Sequence, residues 1–340
     1  MFKNLILFFI TASFIPISFS QENFVKIIKV AASPIISSAG IYLAQERGYF
    51  KAQGLKVEIN DFNNSSASMT ALLSKGELDV GAGNIVSAHF NAINLGQRFK
   101  FVADKGHLTE KKDYIALLVR TDLVTSGRYR SPKDLKGFKM GLTSLDGVSQ
   151  QIIAERILTK NGLNPKDVEF IKLSYAEMNS ALKAKLIDAT IQVEPFLSKA
   201  VLDGFAQNMM SASIVHPAQQ SAVLLYSQDF IEKNPIEAKH FMMAYLQGVR
   251  DYNNAFEKGK DRQKVILDLK KTLKIEDENI WNKMHTVGLD NNGLINKESL
   301  KEDIEWYFSK KYISKIPDMK NIVDMQFSDS ASIELDKNKK

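Results

Sequence analysis

The stretch Val30 to Asn84, VAASPIISSAGIYLAQERGYFKAQGLKVEINDFNNSSASMTALLSKGELDVGAGN, reads as strand-to-helix units in series. Strands end at Ser33-Pro34, at Asn63-Asn-Ser-Ser66 and at Gly81-Ala-Gly-Asn84, each followed by a helical segment. Parallel βαβ units have this grammar, and ligands bind at the carboxyl ends of strands in an open α/β sheet. Such junctions expose backbone N–H groups and small hydroxyls, so the stretch points to capture of a small molecule before any chemistry on it.

Working outward, strands are expected at Val25 to Ala32, Lys56 to Phe62, Asp79 to Gly83 and Phe99 to Ala103. Gly48 and Gly76 stand where left-handed helix ends belong, and Ser66 where an N-cap belongs. A second alternating series follows, with strands at Phe138 to Leu142, Val168 to Leu173 and Asp188 to Val193 and helices at Val148 to Asn161 and Ala176 to Leu186. There Asn164-Pro165 reads as a helix start, Ser174 and Glu177 as a capping box, and Met178, Ala181, Leu182 and Leu186 as a buried stripe. After the apolar run Ser221 to Tyr226 the chain turns helical, at Asn234 to Glu257, Arg262 to Thr272, Glu278 to His285 and Lys297 to Lys311. The expected fold class is α/β, two doubly wound lobes joined by a two-stranded hinge. Residues 21–113 and 227–340 would form lobe 1 and 114–226 lobe 2, with crossings near 114–120 and 214–226.

Composition bounds the rest. The 340 residues, 44% hydrophobic and 25% charged, are ordinary for a soluble globular protein and long enough for two cores. The first twenty differ: Lys3 is their lone charge, an apolar run extends from Leu5 to Ile17, and Ser18-Phe-Ser20 offers small residues to a signal peptidase. A cleavable leader ending at Ser20 is expected, with a periplasmic destination; the run is short for a membrane span and is broken by Thr11, Ser13 and Pro16. Loss of Lys3 takes the 45 basic residues to 44 against 39 acidic, a mild excess that gives no reason to expect nucleic acid. The absence of cysteine excludes disulfides, thiolate metal or iron–sulfur sites, a thiol nucleophile and lipidation through an N-terminal cysteine. The histidines at 89, 107, 216, 240 and 285 have no metal-ligand spacing. Neither a metal nor a cofactor is expected.

Several motifs in order carry a resemblance: Ser38-Ala-Gly-Ile-Tyr-Leu-Ala-Gln-Glu-Arg-Gly-Tyr-Phe50, Gly54-Leu-Lys-Val-Glu58, Leu72-Leu-Ser-Lys-Gly-Glu-Leu-Asp-Val-Gly-Ala-Gly83, Ser131-Pro-Lys-Asp-Leu-Lys-Gly137, Asn161-Gly-Leu163, Ile187-Asp-Ala189 and Glu194-Pro195. Over Val30 to Phe230 the chain resembles the type II periplasmic binding proteins of ABC importers, in the family of sulfonate, nitrate, taurine and thiamine-pyrimidine-precursor binders. The resemblance implies a two-lobe clamp that hands a small-molecule solute to a permease with its ATPase, and a monomer. It also implies two alternatives on the same fold. One is a pyrimidine-precursor synthase, whose cysteine-rich iron motif this chain lacks. The other is a ligand-presenting sensor protein.

The candidate ligand contacts each have a plainer reading beside them. Ser37 and Ser38, at the start of the first helix, would meet an anion or serve as N-caps. Asn84 would face the cleft or cap a helix, with Gly81 and Gly83 letting a ligand come close; Tyr42 would contact solute or pack as wall. Thr143, Ser144 and Gly147 repeat the anion cradle in the second series, and for Asp146 in the same loop helix capping is the weightier reading. Glu194 matches the acid with which the resemblance's pyrimidine binders accept ring or amino hydrogens. His107 and His216 fall near strand ends or the crossover, as cleft contacts or as satisfied surface or hinge histidines.

Overall fold

The computed structural model describes residues 27–62 and 66–337. The expected leader, its cleavage after Ser20, Val25 and the last three residues lie outside that range.

Two five-stranded sheets organise the chain. The first contains β1 (Ile27–Ala32), β2 (Lys56–Asp61), β3 (Val80–Asn84), β4 (Phe99–His107) and β10 (Gln220–Ser227), in the order β2-β1-β3-β10-β4. The second contains β5 (Ile115–Arg120), β6 (Lys139–Leu142), β7 (Glu169–Lys172), β8 (Ala189–Val193) and β9 (Ala206–Ser211), in the order β7-β6-β8-β5-β9. In each sheet three strands are parallel, Val30 lying opposite Ile59 and Val80 in the first, and one antiparallel strand arrives from the other half of the chain. The two sheets with their helices are the expected α/β architecture.

The crossings differ from expectation. β5 and β10 are interior strands, buried along their whole length, and each has neighbours on both edges. Their apolar runs, expected to form the two strands of the hinge, are continuous because both faces are covered, as in any central strand. The chain passes between the sheets at residues 108–114 and 212–219. There Leu108 N donates to Gln219 O at 2.9 Å, and Ser213 N to Asp113 Oδ2 at 2.8 Å. The C-terminal residues touch both sheets' layers: helix Lys297–Ser309 joins helix Ser149–Lys160 through Arg156–Glu302 at 2.6 Å and, just past its end, Lys310–Glu155 at 2.5 Å.

Local chemistry is as read at several helix ends. Gly48 and Gly76 have φ of 71° and 70°. Ser174 Oγ accepts from Glu177 N, and Ser174 N donates in return to Glu177 Oε2 at 2.7 Å. Ser174→Ala is expected to cost about 1 kcal/mol, read as a lowered thermal midpoint. Three details are corrected. Ser66 is the first residue of helix Ser66–Ser74, not its cap. Leu186 is 67% exposed because helix Tyr175–Lys183 ends before it and Lys185 turns the chain at φ 61°. Asn164 caps a single 3₁₀ turn, Pro165–Asp167.

Candidate functional site

Between the sheets lies a cleft of about 840 Å³ walled by strand ends from both. The first sheet contributes the β1 turn Ser33-Pro34-Ile35, the β3 end Ala82-Gly83-Asn84, Lys105 of β4, and Ser66 and Met69 of helix Ser66–Ser74. The second contributes Thr143 and Ser144 after β6, the run Lys172 to Glu177 from the last residue of β7 onward, and Phe196 and Lys199 after β8. Leu273 and Lys274, at the end of helix Arg262–Leu273, add a further edge.

Backbone and side-chain bonds close the two halves on each other. Ser87 N donates to Gly147 O at 2.9 Å and Ser149 N to Ile85 O at 3.0 Å, an antiparallel bridge between Val86 and Val148. Within the cleft Asn84 Nδ2 donates to Tyr175 Oη at 2.8 Å. Tyr175 stacks on Phe196, ring centroids 6.0 Å apart at 19°, and burial pushes its phenol up to about 12, so it is a neutral donor and acceptor. Among the described residues four lysines (105, 172, 199 and 274) line the cleft against one carboxylate, Glu177, which is occupied in its capping box.

Of the expected contacts, Asn84, Thr143 and Ser144 border the cleft. Thr143 Oγ1 donates to Gln150 Oε1 at 2.7 Å, and Ser144 Oγ accepts from Asp146 N at 3.3 Å. The others lie elsewhere. Ser37 and Ser38 are wholly buried beneath the β1 turn, in the 3₁₀ turn Ile36–Ser38; Ser38 stands at the N-cap position of the helix that follows but makes no side-chain capping bond. Ser37 Oγ accepts from Lys105 Nζ at 2.9 Å, while Ser38 Oγ has no partner among the described residues. Tyr42 is core wall, its hydroxyl directed at Ala32 O at 3.4 Å.

Asp146 is exposed and caps nothing: helix Ser149–Lys160 begins after Val148 without a side-chain cap, and it is the Asp146 carbonyl that is engaged, by Ser87 Oγ. Gly147, at φ 82°, is packed under Tyr307. His107 Nδ1 pairs with Asp104 Oδ2 at 2.9 Å; burial lowers its pKa, but the bond and charge of Asp104 outweigh burial and hold it above the ordinary value. His216 Nε2 meets the wholly buried Asp303 at 2.7 Å, fastening the second crossing to helix Lys297–Ser309. Glu194 is wholly buried and turned under the cleft, accepting from Ser198 and from His285 N. Gly81 and Gly83 make room for helix Ser66–Ser74, since a Cβ there would meet Met69 Sδ at 2.9 and 3.2 Å.

Sequence reasoning missed Lys105, Tyr175 and Phe196. Tyr175 and Phe196 had a signal, since each follows a strand end of the kind singled out elsewhere. Lys105 lies in the polar continuation of β4, past the apolar run that marked the strand. Among the described residues no cluster of three metal-ligating side chains occurs, and no helix is long and apolar enough to cross a membrane.

The sequence matches the NMT1/THI5-like family over residues 35–255. It is 26% identical over 227 residues to YtlA of Bacillus subtilis, which is named as a binding protein, covering 66% of this chain and 65% of that one. It is 25% identical over 224 residues to the yeast 4-amino-5-hydroxymethyl-2-methylpyrimidine phosphate synthase THI13, covering 62% of each. The chain thus spans slightly less than two thirds of the length of these two relatives. Its fold is similar to that of the periplasmic nitrate-binding protein NrtA from Synechocystis PCC 6803, with a TM-score of 0.77 at 15% identity over 92% of this chain and 89% of that one. With the family match running from the β1 turn through both sheets into helix Pro235–Lys258, the chain belongs to the NMT1/THI5-like family.

Proposed function

We propose that the chain captures a small-molecule solute between its two lobes outside the inner membrane and presents it to an ABC permease with its ATPase. The observation that carries this is the cleft itself, about 840 Å³ with walls from both sheets. A ligand touching both walls favours the closed arrangement through contacts that an open one lacks, so capture and closure are one equilibrium. The lobes would turn about the crossings at 108–114 and 212–219. The binding role in YtlA's name and the nitrate-binding neighbour support this reading. A leader removed after Ser20, a monomeric state and the absence of turnover belong to the same proposal; the cysteine-free composition supports the last of these.

The test is a thermal-shift panel of solutes on the chain from Gln21 onward, with small-angle scattering on any that stabilise. A solute at a hundredfold excess over its Kd adds about 2.7 kcal/mol of stability and should compact the particle. Asn84→Ala, which removes a donor from the cleft wall, is expected to weaken that solute about tenfold. A particle unchanged by every solute, or consumption of a bound solute, overturns the proposal.

A further inference from the structure

One lysine on the cleft wall is wholly buried and has no ion-pair partner among the described residues. Lys105 is wholly buried, borders the cleft, and places Nζ 2.9 Å from Ser37 Oγ, with no carboxylate of the described residues within the 4.0 Å of an ion pair. Asp104, its neighbour on β4, acts on the amine through its charge but takes its hydrogen bonds from elsewhere. Its oxygens accept from Gly106 N at 2.9 Å, His107 Nδ1 at 2.9 Å, Gln220 Nε2 at 2.6 Å and Asp290 N at 2.7 Å. The phenols of Tyr114, beside Ser37, and of Tyr175 are both raised by burial and stay neutral. β10, which pairs with β4, brings Gln220, Ser221 and apolar residues but no charge to this region. Across the cleft stand Glu177, held by Ser174, and the further cations Lys172, Lys199 and Lys274.

A buried ammonium without an ion-pair partner is held against its own desolvation, whereas a methionine would pack there at no electrostatic cost. We propose that the captured solute is an organic anion whose acidic group seats on Lys105 Nζ while its apolar body lies along Met69, Leu173, Phe196 and Leu273. Ser37 acts as a positioning residue that fixes the amine. The inference rests on the capture reading and narrows it: a cleft of about 840 Å³ falls in the range of about 300–1,000 Å³ that houses drug-sized ligands and is far larger than nitrate needs.

In this closed arrangement burial, against the charge of Asp104, brings the Lys105 amine down to about 7, so the empty closed cleft holds it partly neutral at physiological pH. An anion binds the ammonium form, so the solute enters with a proton. Affinity should be level below about pH 7 and fall by up to tenfold per unit above it.

The experiment is calorimetry on the chain from Gln21 onward with benzoate, benzenesulfonate and octanoate, and with benzyl alcohol and benzylamine as neutral and cationic counterparts. Titrations at pH 6 and 8.5, in buffers of different ionisation enthalpy, count the protons. An acid should bind with uptake approaching one proton at pH 8.5 and at least tenfold weaker there than at pH 6. Lys105→Met should weaken it about thirtyfold and remove the slope, with folding verified by its thermal transition. Ser37→Ala keeps the charge, so it should keep the slope and shift its midpoint. Preference for the alcohol or amine, or acid binding indifferent to Lys105→Met, overturns the anchor and leaves capture standing. Failure of every probe to bind counts against both.

Discussion

Gly248→Ala is expected to destabilise the fold by about 3 kcal/mol or more, read as a lower urea midpoint with an unchanged m value. Helix Pro235–Lys258 crosses helix Ala39–Glu46 with Gly248 set against Gly40. A Cβ at 248 would stand 2.1 Å from Gly40 O and 3.0 Å from Ala44 N, both backbone atoms that no rotamer change can move. Alanine gains up to about 1 kcal/mol of helix propensity over glycine, too little to offset a forced separation of two buried helices. Gly40→Ala is the internal comparison: its Cβ would meet Val249 and Tyr245 side chains at 2.7 and 2.8 Å, which can shift, so the loss should be smaller. The effect should reach the site, because helix Ala39–Glu46 follows directly on the turn that holds Ser37 against Lys105. An unchanged midpoint for Gly248→Ala would refute this account of the crossing.

The architecture was legible in the sequence where local signals and tertiary demands agree. Parallel strands buried on both faces are apolar runs, and their helices carry caps such as Ser174 and Glu177, so the order of units could be read from Val30 onward. The β9 strand Ala206–Ser211 was not legible, since it is an edge strand without a β-branched residue. The site was half visible. Strand ends were correctly placed at the cleft, but which side chain at each end faces it depends on the turn beyond. The 3₁₀ turn Ile36–Ser38 rotates its serines inward, and β4 runs on through Asp104 and Lys105 in a segment too polar to be read as strand. Leu273 and Lys274 reach the cleft from a helix far along the chain, and only the tertiary fold brings them there.

Glu194→Gln is expected to abolish a pH dependence of stability worth up to about 3 kcal/mol. Glu194 is wholly buried, with Oε1 accepting from Ser198 Oγ at 2.8 Å and His285 N at 3.0 Å, and Oε2 from Ser198 N at 3.1 Å. Burial dominates these donors and pushes the carboxyl up from 4.5 to about 7. The folded state therefore holds a proton that the unfolded chain has released, and this contribution, complete below about pH 4.5, is lost as pH rises through 7. At 1.36 kcal/mol per unit the interval amounts to about 3 kcal/mol. Glutamine does not ionise, so in chemical denaturation the variant's stability should stay level across this interval while that of wild type falls; its amide nitrogen must face the N–H of Ser198 or His285, a cost that is the same at every pH. Parallel curves for the two proteins would show that the buried carboxyl does not titrate in this interval. The same variant separates a structural acid from a ligand contact. Lying under the cleft and fastening the His285 segment to the second sheet, Glu194 should leave the affinity for a captured solute within about twofold when amidated, an effect below that of losing even one modest hydrogen bond, and a larger loss would return it to the binding surface.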